Sequence, residues 1–294
     1  MAMNGEKRLT LTLGITFLIL LLEVAGGILS NSLALLSDAG HVLTDIFALG
    51  LSIIAARISR RPSDYRATYG YQRVGLLAAV INGVSLVVIS AFIFFESCKR
   101  FASPHQIDIS LMLSIAVLGL AGNVVMAFII GRRHEDLNIK SAWLHVLGDA
   151  LCSVGVVISG IAIFFTHWAY ADPLASVVIG FVILLGGMRV VKEATVIFLE
   201  MSPATFHAEE IAKKLCAMPE VMGVHDLHIW SVAHKRVAFT AHIWVHDQRL
   251  SETEAIRQKI EKLLKEMGIN HIILQFECAE CLSTGLYCQL HAQE

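Results

Sequence analysis

Six apolar stretches, each about twenty residues long, constrain this chain more than any other feature of its sequence. A helix needs about 20 mostly apolar residues to cross the hydrocarbon core of a bilayer. The chain has 294 residues, of which 55% are hydrophobic and 16% charged, so it is too apolar for an ordinary soluble domain. We therefore predict six membrane-spanning helices, over approximately 9–29, 33–56, 74–95, 109–130, 141–165 and 173–192.

The residues after the sixth stretch are polar and predict a second domain. We place the division so that 1–202 form a six-span transmembrane domain and 203–294 form a separate domain. In the second part, alternating apolar residues indicate strands, and charged amphipathic segments indicate helices. The order helix, strand, strand, helix, strand predicts a small α+β domain with an open sheet. These elements are expected over 207–217, 223–232, 237–246, 252–267 and 271–277.

Basic residues fall mostly on one side of the predicted spans. The loops on the opposite side carry only Lys99 and Arg100. Because short loops rich in Lys and Arg stay in the cytosol, both chain termini are predicted to be cytosolic. No basic tail or stripe indicates a nucleic-acid partner. The residues that set the orientation are Lys7, Arg8, Arg57, Arg60, Arg61, Arg66, Arg73, Arg132, Arg133, Lys140, Arg189 and Lys192.

One short motif occurs twice inside the apolar stretches, as HVLTD at 41–45 and HVLGD at 145–149. Residues four apart share one face of a helix, so His41 and Asp45 point the same way from span 2, as His145 and Asp149 do from span 5. If the two faces meet, two imidazoles and two carboxylates form a four-coordinate set that suits tetrahedral zinc. The alternative is that each pair only joins helices by hydrogen bonds.

Further polar residues lie in the predicted spans, where ionisable groups are rare. Asp38 is interpreted as a cap near the start of span 2, or else as a helper beside His41. Glu23 could assist proton or metal entry, although packing between helices is the favoured interpretation, as it is for Asn123.

The C-terminal tail contains a Cys-x-x-Cys pair, Cys278 and Cys281, followed by Cys288 and His291. This spacing is common in thiolate metal sites. Reduced thiols in a disordered tail are the other interpretation, and no thioredoxin-like context favours a redox role. The six cysteines do not form the pattern of a secreted disulfide framework.

Three segments, SLALLSDAGHVLTD, RRPSDYRATYGYQR and NIKSAWLHVLGDALCSVGV, resemble the cation diffusion facilitator family, and the resemblance extends over nearly the whole chain. It implies a six-span metal-exporting antiporter with a ferredoxin-like cytosolic domain, working as a homodimer that alternates between inward-facing and outward-facing states. The paired HxxxD motifs imply that His41, Asp45, His145 and Asp149 bind the transported ion, with a preference for zinc that is often shared with cadmium.

The same resemblance implies a cytosolic zinc site near His225, His242 and Glu277, which come from three predicted strands, so that 203–294 would serve metal binding, regulation and dimerisation. Asp226 and His228 are not assigned to it. Some family members carry another metal site in the loop after span 2, built on an Asp and a His. Here Asp64 matches the Asp, but Tyr71 stands at the His position.

The function expected from these observations is the export of Zn²⁺, and of Cd²⁺ or other divalent metals, in exchange for H⁺. The expected partners are the metal ion, the proton, the lipid membrane and a second copy of the chain, with zinc also as a cytosolic regulatory ion. A bacterial cytoplasmic membrane is the expected location, or an organelle membrane in a eukaryote. An enzyme is disfavoured because the chain lacks an HExxH motif and a nucleophile elbow. A metal sensor and a passive channel stay open as alternatives.

Overall fold

The computed structural model describes residues 5–130, 137–233, 236–279 and 285–287. Within this part of the chain, six helices are long and apolar enough to cross a membrane, as predicted. Helices suit a bilayer because each satisfies its own backbone hydrogen bonds. In chain order, the six are α1 Gly5–Ser30, α2 Leu33–Ser59, α3 Val74–Ala102, α4 Ile109–Ile130, α5 Leu137–Thr166 and α6 Ala171–Phe198.

The chain divides into two compact units. The first consists of Met1–Ile53 and Ile81–Val191, and the second of Ile54–Val80 and Lys192–Glu294. The membrane helices of the first unit enclose a buried apolar core that includes Leu35, Met112 and Val156.

Helices α3 and α6 approach each other closely at two glycines. A Cβ atom added to Gly187 would lie 2.9 Å from the carbonyl oxygen of Gly83, and one added to Gly83 would lie 3.1 Å from the carbonyl oxygen of Gly187. Because both obstacles are backbone atoms, a larger residue at either position would force the helices apart. Small residues of this kind allow membrane helices to pack at short range.

The tight link between α1 and α2 is completed by a residue from α6. Asn31 has a φ of 57°, the left-handed conformation that Asn tolerates better than most residues. The carboxylate of Asp172 accepts hydrogen bonds from Ser32 Oγ at 2.5 Å, from the Leu33 N–H at 2.7 Å and from the Ala34 N–H at 3.1 Å. Asp172 therefore satisfies backbone donors that the first turn of a helix leaves free.

The interpretation of Asp38 as a helix cap was wrong. Helix α2 begins at Leu33, so Asp38 lies inside it, and Asp172 caps the helix instead. The sequence pattern could not show this, because the capping residue is distant in the chain. Arg100 stands beside the cap, with Nη1 at 3.6 Å from Asp172 Oδ2 and donating to the Asn31 carbonyl oxygen at 2.6 Å.

The second unit contains an α+β domain, which confirms the predicted class. A three-stranded sheet has the order β1-β2-β3, with β1 antiparallel to β2 and β3 parallel to β2. Alternate residues of β2, such as Phe239 and Ile243, are fully buried against the two helices. The elements are α7 Ala208–Cys216, β1 Gly223–Ala233, β2 Arg236–Trp244, α8 Leu250–Glu266 and β3 His271–Glu277.

Strand β1 contains an irregularity that alternation alone did not predict. Its register against β2 shifts between His225 and His228, and Asp226 has a φ of 49°. A bulge of this kind bends a strand and redirects its side chains. The N–H of Leu227 donates to the carbonyl oxygen of Leu286 at 2.9 Å, so a residue near the C-terminus satisfies a donor inside the bulge.

Candidate metal centres

The two repeated motifs meet in the first unit, and we call His41, Asp45, His145 and Asp149 the membrane site. Within α2, His41 Nε2 lies 3.7 Å from Asp45 Oδ2, one turn later. Within α5, His145 Nε2 lies 3.9 Å from Asp149 Oδ2. Between helices the contacts are crossed and slightly shorter. His41 Nε2 lies 3.6 Å from Asp149 Oδ1, and His145 Nε2 lies 3.5 Å from Asp45 Oδ2.

Several atoms of the membrane site are buried without a hydrogen-bond partner. Among the described residues, these include Nδ1 of His41, Oδ2 of Asp45 and Oδ1 of Asp149. Buried polar atoms without partners are costly, and such atoms at a convergent site suggest an unobserved ligand. Two neutral imidazoles and two carboxylates would supply nitrogen and oxygen donors, and their two negative charges would balance a divalent cation. His41, Asp45 and Asp149 offer ligand atoms that all lie within 4.8 Å of one another, whereas His145 is half exposed and reaches the group through Asp45. The site therefore has the chemistry of a divalent metal centre.

A second polar layer lies one turn from the membrane site, and it includes a residue that was not predicted. Ser153, on α5, donates to Asp38 Oδ2 at 2.9 Å and accepts from Asn123 Nδ2 at 3.1 Å. Ser153 follows Asp149 by four residues, so it shares the face of α5 that carries the site. That spacing was the available signal, but a serine in a membrane helix is too common to stand out.

Glu23 is the other buried acid near this layer. Its side chain is 1% exposed, and Oε2 has no hydrogen-bond partner among the described residues. Oε1 lies against α4, where a Cβ atom added to Gly119 would come within 2.7 Å of it. Glu23 therefore packs between helices, as favoured from the sequence, and its Oε2 has no donor among the described residues.

In the second unit, the predicted residues on three strands also come together, and we call His225, His242 and Glu277 the sheet site. His225 and His242 are directly opposite each other on β1 and β2. His225 Nε2 lies 3.1 Å from Glu277 Oε2, and His242 Nδ1 lies 2.8 Å from Glu277 Oε1. Gln275 donates to Glu277 Oε1 at 3.0 Å and orients that carboxylate. The three side chains are partly buried and could hold one metal ion.

The bulge brings two more polar side chains to the sheet site. Asp226 Oδ2 lies 3.5 Å from Nε2 of His242, and Asp226 Oδ1 lies 3.1 Å from Nε2 of His228. Strict alternation would have directed Asp226 to the face opposite His225. The left-handed backbone at Asp226 reverses that expectation, which is why sequence reasoning left both residues outside the site.

The remaining predicted ligands divide between described and undescribed residues. Cys278 follows Glu277 and is exposed. Cys281, Cys288 and His291 lie outside the described residues, so the thiolate site stays a prediction.

The loop after α2 shows what Tyr71 does at the position where some family members have a histidine. Its hydroxyl donates to Asp64 Oδ2 at 2.7 Å. Asp64 Oδ1 also accepts from the backbone N–H groups of Arg66 at 2.9 Å and Ala67 at 2.8 Å. The Tyr71 hydroxyl, and then these amides, lower the pKa of the Asp64 carboxyl below its usual 3.8. Asp64 is thus engaged in holding the loop.

Most of the chain matches known protein families and individual relatives. Residues 9–199 match the cation efflux transmembrane domain, and residues 203–278 match the cation efflux protein cytoplasmic domain. The chain is 40% identical over 264 residues to a cadmium, cobalt and zinc/H(+)-K(+) antiporter of Bacillus velezensis, covering 88% of this chain and 84% of the relative. It is 38% identical over 285 residues to the zinc transporter ZitB of Escherichia coli, covering 95% and 89%.

Two further similarities concern one protein of Cupriavidus metallidurans. The metal cation efflux system protein CzcD is 37% identical over 280 residues, covering 95% of this chain and 88% of the relative. The solved metal-bound C-terminal domain of the CzcD transporter is 30% identical and covers 24% of this chain and 94% of its own. Its TM-score of 0.21 is too low to equate the two folds.

Proposed function

Because the chain belongs to the cation efflux family, we propose that it is a secondary transporter that moves Zn²⁺ out of the cytosol in exchange for H⁺. The names of its relatives support zinc as the main substrate and cadmium and cobalt as further ones. The observation that carries the proposal is the crossed arrangement of the membrane site, in which each histidine faces the aspartate of the other helix.

The chemistry of the membrane site suits exchange. His41, Asp45, His145 and Asp149 bind zinc only in their deprotonated forms, so zinc and protons compete for the same atoms. A bound ion is released when the site opens to a side where protons are more abundant. Transport then requires two states of the molecule, one open to each side, with the same ligands in both.

The test is zinc flux in proteoliposomes that contain the purified protein, with and without an imposed pH gradient. We expect the gradient to drive zinc flux, and expect Asp45→Ala and Asp149→Ala each to reduce it at least about a hundredfold, because losing a ligand costs more than the 10–100-fold typical of ligand-supporting residues. Asp247→Ala, which alters an exposed loop residue, is the control.

Three outcomes would contradict the proposal in different ways. Full activity of Asp149→Ala would exclude the membrane site. Zinc flux that is indifferent to the gradient would indicate a uniporter or channel. An inactive but folded wild-type protein that still binds zinc would favour a sensor.

We propose that the sheet site binds a regulatory zinc ion, which strengthens the homodimer and favours transport. Three donor side chains from three strands, with each histidine within 3.1 Å of Glu277, support this role. Zinc also commonly binds such sets of His and carboxylate ligands. Replacing His242 and Glu277 together by Ala should remove the activation by cytosolic zinc and leave gradient-driven flux at saturating zinc. Unchanged zinc dependence in that double variant would disprove the regulatory role.

We further propose that 1–202 form the transport domain and 203–294 the regulatory and dimerisation domain, with Cys278 and Cys281 as additional metal ligands in its tail. The location that we propose is the bacterial cytoplasmic membrane, with both termini in the cytosol. Large apolar side chains exposed on the six helices support contact with lipid, among them Leu29, Phe128 and Phe165.

Two native cysteines can test the orientation. Cys98, near the end of α3, and Cys278, after β3, are both exposed. A membrane-impermeant thiol reagent should label Cys98 on intact cells and Cys278 only after permeabilisation. The reverse pattern would show that the proposed orientation is inverted.

A further inference from the structure

The buried acids around the membrane site outnumber those that one zinc ion can neutralise. Asp45 and Asp149 already balance the two charges of Zn²⁺. Asp38 and Glu23 are buried as well, at 2% and 1% exposure. Carboxylates at membrane depth need a proton or a cation beside them. The polar layer next to the site therefore calls for a second positive charge.

Among the described residues, the hydrogen bonds that reach Asp38 come from neutral donors. Asn123 donates to Ser153, which donates to Asp38, so this chain of hydrogen bonds ends on a carboxylate. Glu23 adds an oxygen with no partner among the described residues. No imidazole or thiolate takes part in these contacts, although zinc usually has at least one such ligand in proteins. The layer is thus better suited to a proton than to zinc.

We propose that Glu23 and Asp38 form a counter-proton site, distinct from the residues that bind zinc, which takes up a proton as zinc leaves the membrane site. This inference rests on the antiport proposed above. In the proposed orientation, α2 begins at the outer surface, so Asp38 lies on the outer side of His41. A proton that enters from outside would reach the counter-proton site before it reached the zinc ligands.

Electrostatics would couple the two sites. Ser153, which donates to Asp38 at 2.9 Å, lies one helical turn after Asp149 on α5, so the two sites are close neighbours. Asp38 precedes His41 by three residues, a rise of about 4.5 Å along a helix. A Zn²⁺ ion at the membrane site would favour the ionised form of these acids, and its departure would favour the protonated form. Zinc release and proton uptake would then be two parts of one exchange.

Titratable groups reach this region from three helices. Helix α1 contributes Glu23, α2 contributes Asp38, and α5 contributes Asp149. The sequence of α4 contains no titratable residue. In the described part of this region, Glu23 and Asp38 are the carboxyl groups that are not proposed zinc ligands. The groups that interact with one another there are Glu23, Asp38, His41, Asp45, Asp149 and Cys152.

The first test counts the protons that purified full-length protein releases into weakly buffered detergent solution when zinc binds. It uses protein that carries His242→Ala together with Glu277→Ala. These substitutions remove zinc binding at the sheet site, so that the measured protons come from zinc binding at the membrane site. In this background, a protein with no further substitution should release protons from both the zinc ligands and the counter-proton site when zinc binds. We expect Glu23→Gln, and separately Asp38→Asn, to release about one proton fewer per zinc while zinc affinity changes less than about tenfold.

The second test measures zinc flux in proteoliposomes under a pH gradient of one unit, with a K⁺ gradient as a separate arm. For the wild type, each coupled proton can raise the equilibrium ratio of zinc concentrations across the membrane up to about tenfold, and we expect the gradient to stimulate flux. We expect Glu23→Gln to abolish the stimulation and Glu193→Gln, at an exposed residue of α6, to retain it. Unchanged proton release and unchanged stimulation in Glu23→Gln and Asp38→Asn would overturn the counter-proton site, as would stimulation by K⁺ in place of H⁺.

A steric variant checks the position of Glu23 without removing any polar group. In Gly119→Ala the new methyl group would collide with Glu23 Oε1 and displace the end of a flexible side chain. We expect partial loss of the pH stimulation, whereas Gly14→Ala on α1, where nothing lies within 4 Å of the added Cβ, should behave as the wild type. Equal stimulation in both variants would count against the proposal. Absence of zinc flux in the wild type would instead refute the antiport on which it rests.

Discussion

Single residues decide which polar groups of this molecule are available to a ligand. Asp64 accepts three hydrogen bonds and is engaged, whereas Asp45 and Asp149 each retain a buried oxygen with no hydrogen bond. The difference does not come from residue type, because all three are aspartates. It comes from whether donors surround the carboxylate. An aspartate supplied with donors stabilises a turn, and one that is left without them is free to bind a cation.

The loop of Asp64 offers a pH prediction. Because the pKa of Asp64 is lowered in the folded loop, its hydrogen bonds stabilise the loop above pH 3.8 and are lost as the pH falls below that value. Tyr71→Phe removes the largest cause of the shift, so the pKa should rise toward 3.8. An NMR titration of labelled aspartate carboxyls would measure it. Tyr65→Phe is the control, and an unchanged pKa in Tyr71→Phe would contradict the assignment.

Residue spacing predicted the centre of the membrane site but not its surroundings. His41 and Asp45 are four residues apart, and the helix period alone puts them on one face. Ser153 and Asn123 were not assigned to the site, because their partners are on other helices. Asp226 was missed for another reason. Its side chain follows a local left-handed backbone, and the alternation of a strand does not encode such a bulge.

At the scale of helices and strands, apolar pattern and length predicted each element of the described chain, and the largest errors were at the ends of α3 and α6, which run on to Ala102 and Phe198. The contacts between these elements were harder to predict from the sequence. The cap of α2 comes from Asp172 on α6, and the close approach of α3 and α6 depends on Gly83 and Gly187. Both are pairings between distant segments, and a single sequence contains no periodicity that specifies them.

The crossing of α3 and α6 predicts opposite results for two neighbouring glycines. Gly187→Ala should destabilise the protein by about 1–3 kcal/mol, because overpacking against a backbone cannot be relieved by a side chain. Gly186→Ala meets nothing within 4 Å and should be neutral or stabilise by up to about 1 kcal/mol, since alanine favours helix. Thermal unfolding in detergent would compare them. Equal melting temperatures would show that α3 and α6 do not cross at Gly187.

The cap provided by Asp172 predicts a larger effect than an exposed cap. Asp172→Asn removes the charge that faces Arg100 and weakens three hydrogen bonds to the start of α2, so we expect a loss of about 1–3 kcal/mol. Asp108, which accepts from the Leu111 N–H at 3.0 Å at the exposed start of α4, is the matched control. Asp108→Asn should cost no more than about 1 kcal/mol. Similar melting temperatures for the two variants would argue against Asp172 as the main cap.

At the scale of the whole molecule, two units with separate cores contain separate candidate metal centres. The membrane site lies in the first unit and the sheet site in the second. A ligand that binds only the folded form stabilises the unit that contains its site.

Zinc should therefore raise the unfolding temperatures of the two units independently. At a hundredfold excess over its dissociation constant, zinc should stabilise each unit by about 2.7 kcal/mol. In His242→Ala with Glu277→Ala, only the transition of the membrane unit should still respond, and in Asp45→Ala only that of the second unit. Differential scanning calorimetry with and without a chelator would measure both transitions. A single transition that shifts equally in all variants would be incompatible with separate sites.

The cap on α2 also bears on how the chain is made. Asp172 lies 140 residues after Ser32, so ribosomes complete five membrane helices before the carboxylate that caps α2 has been synthesised. Until then, the N–H groups of Leu33 and Ala34 lack this acceptor, and Arg100 lacks the second of the two carboxylates beside it. The hairpin of α1 and α2 must wait in the membrane in an unfinished form, and the arrival of α6 locks it. The first turn of the helix that carries half of the membrane site is thus completed only once α6 has been synthesised.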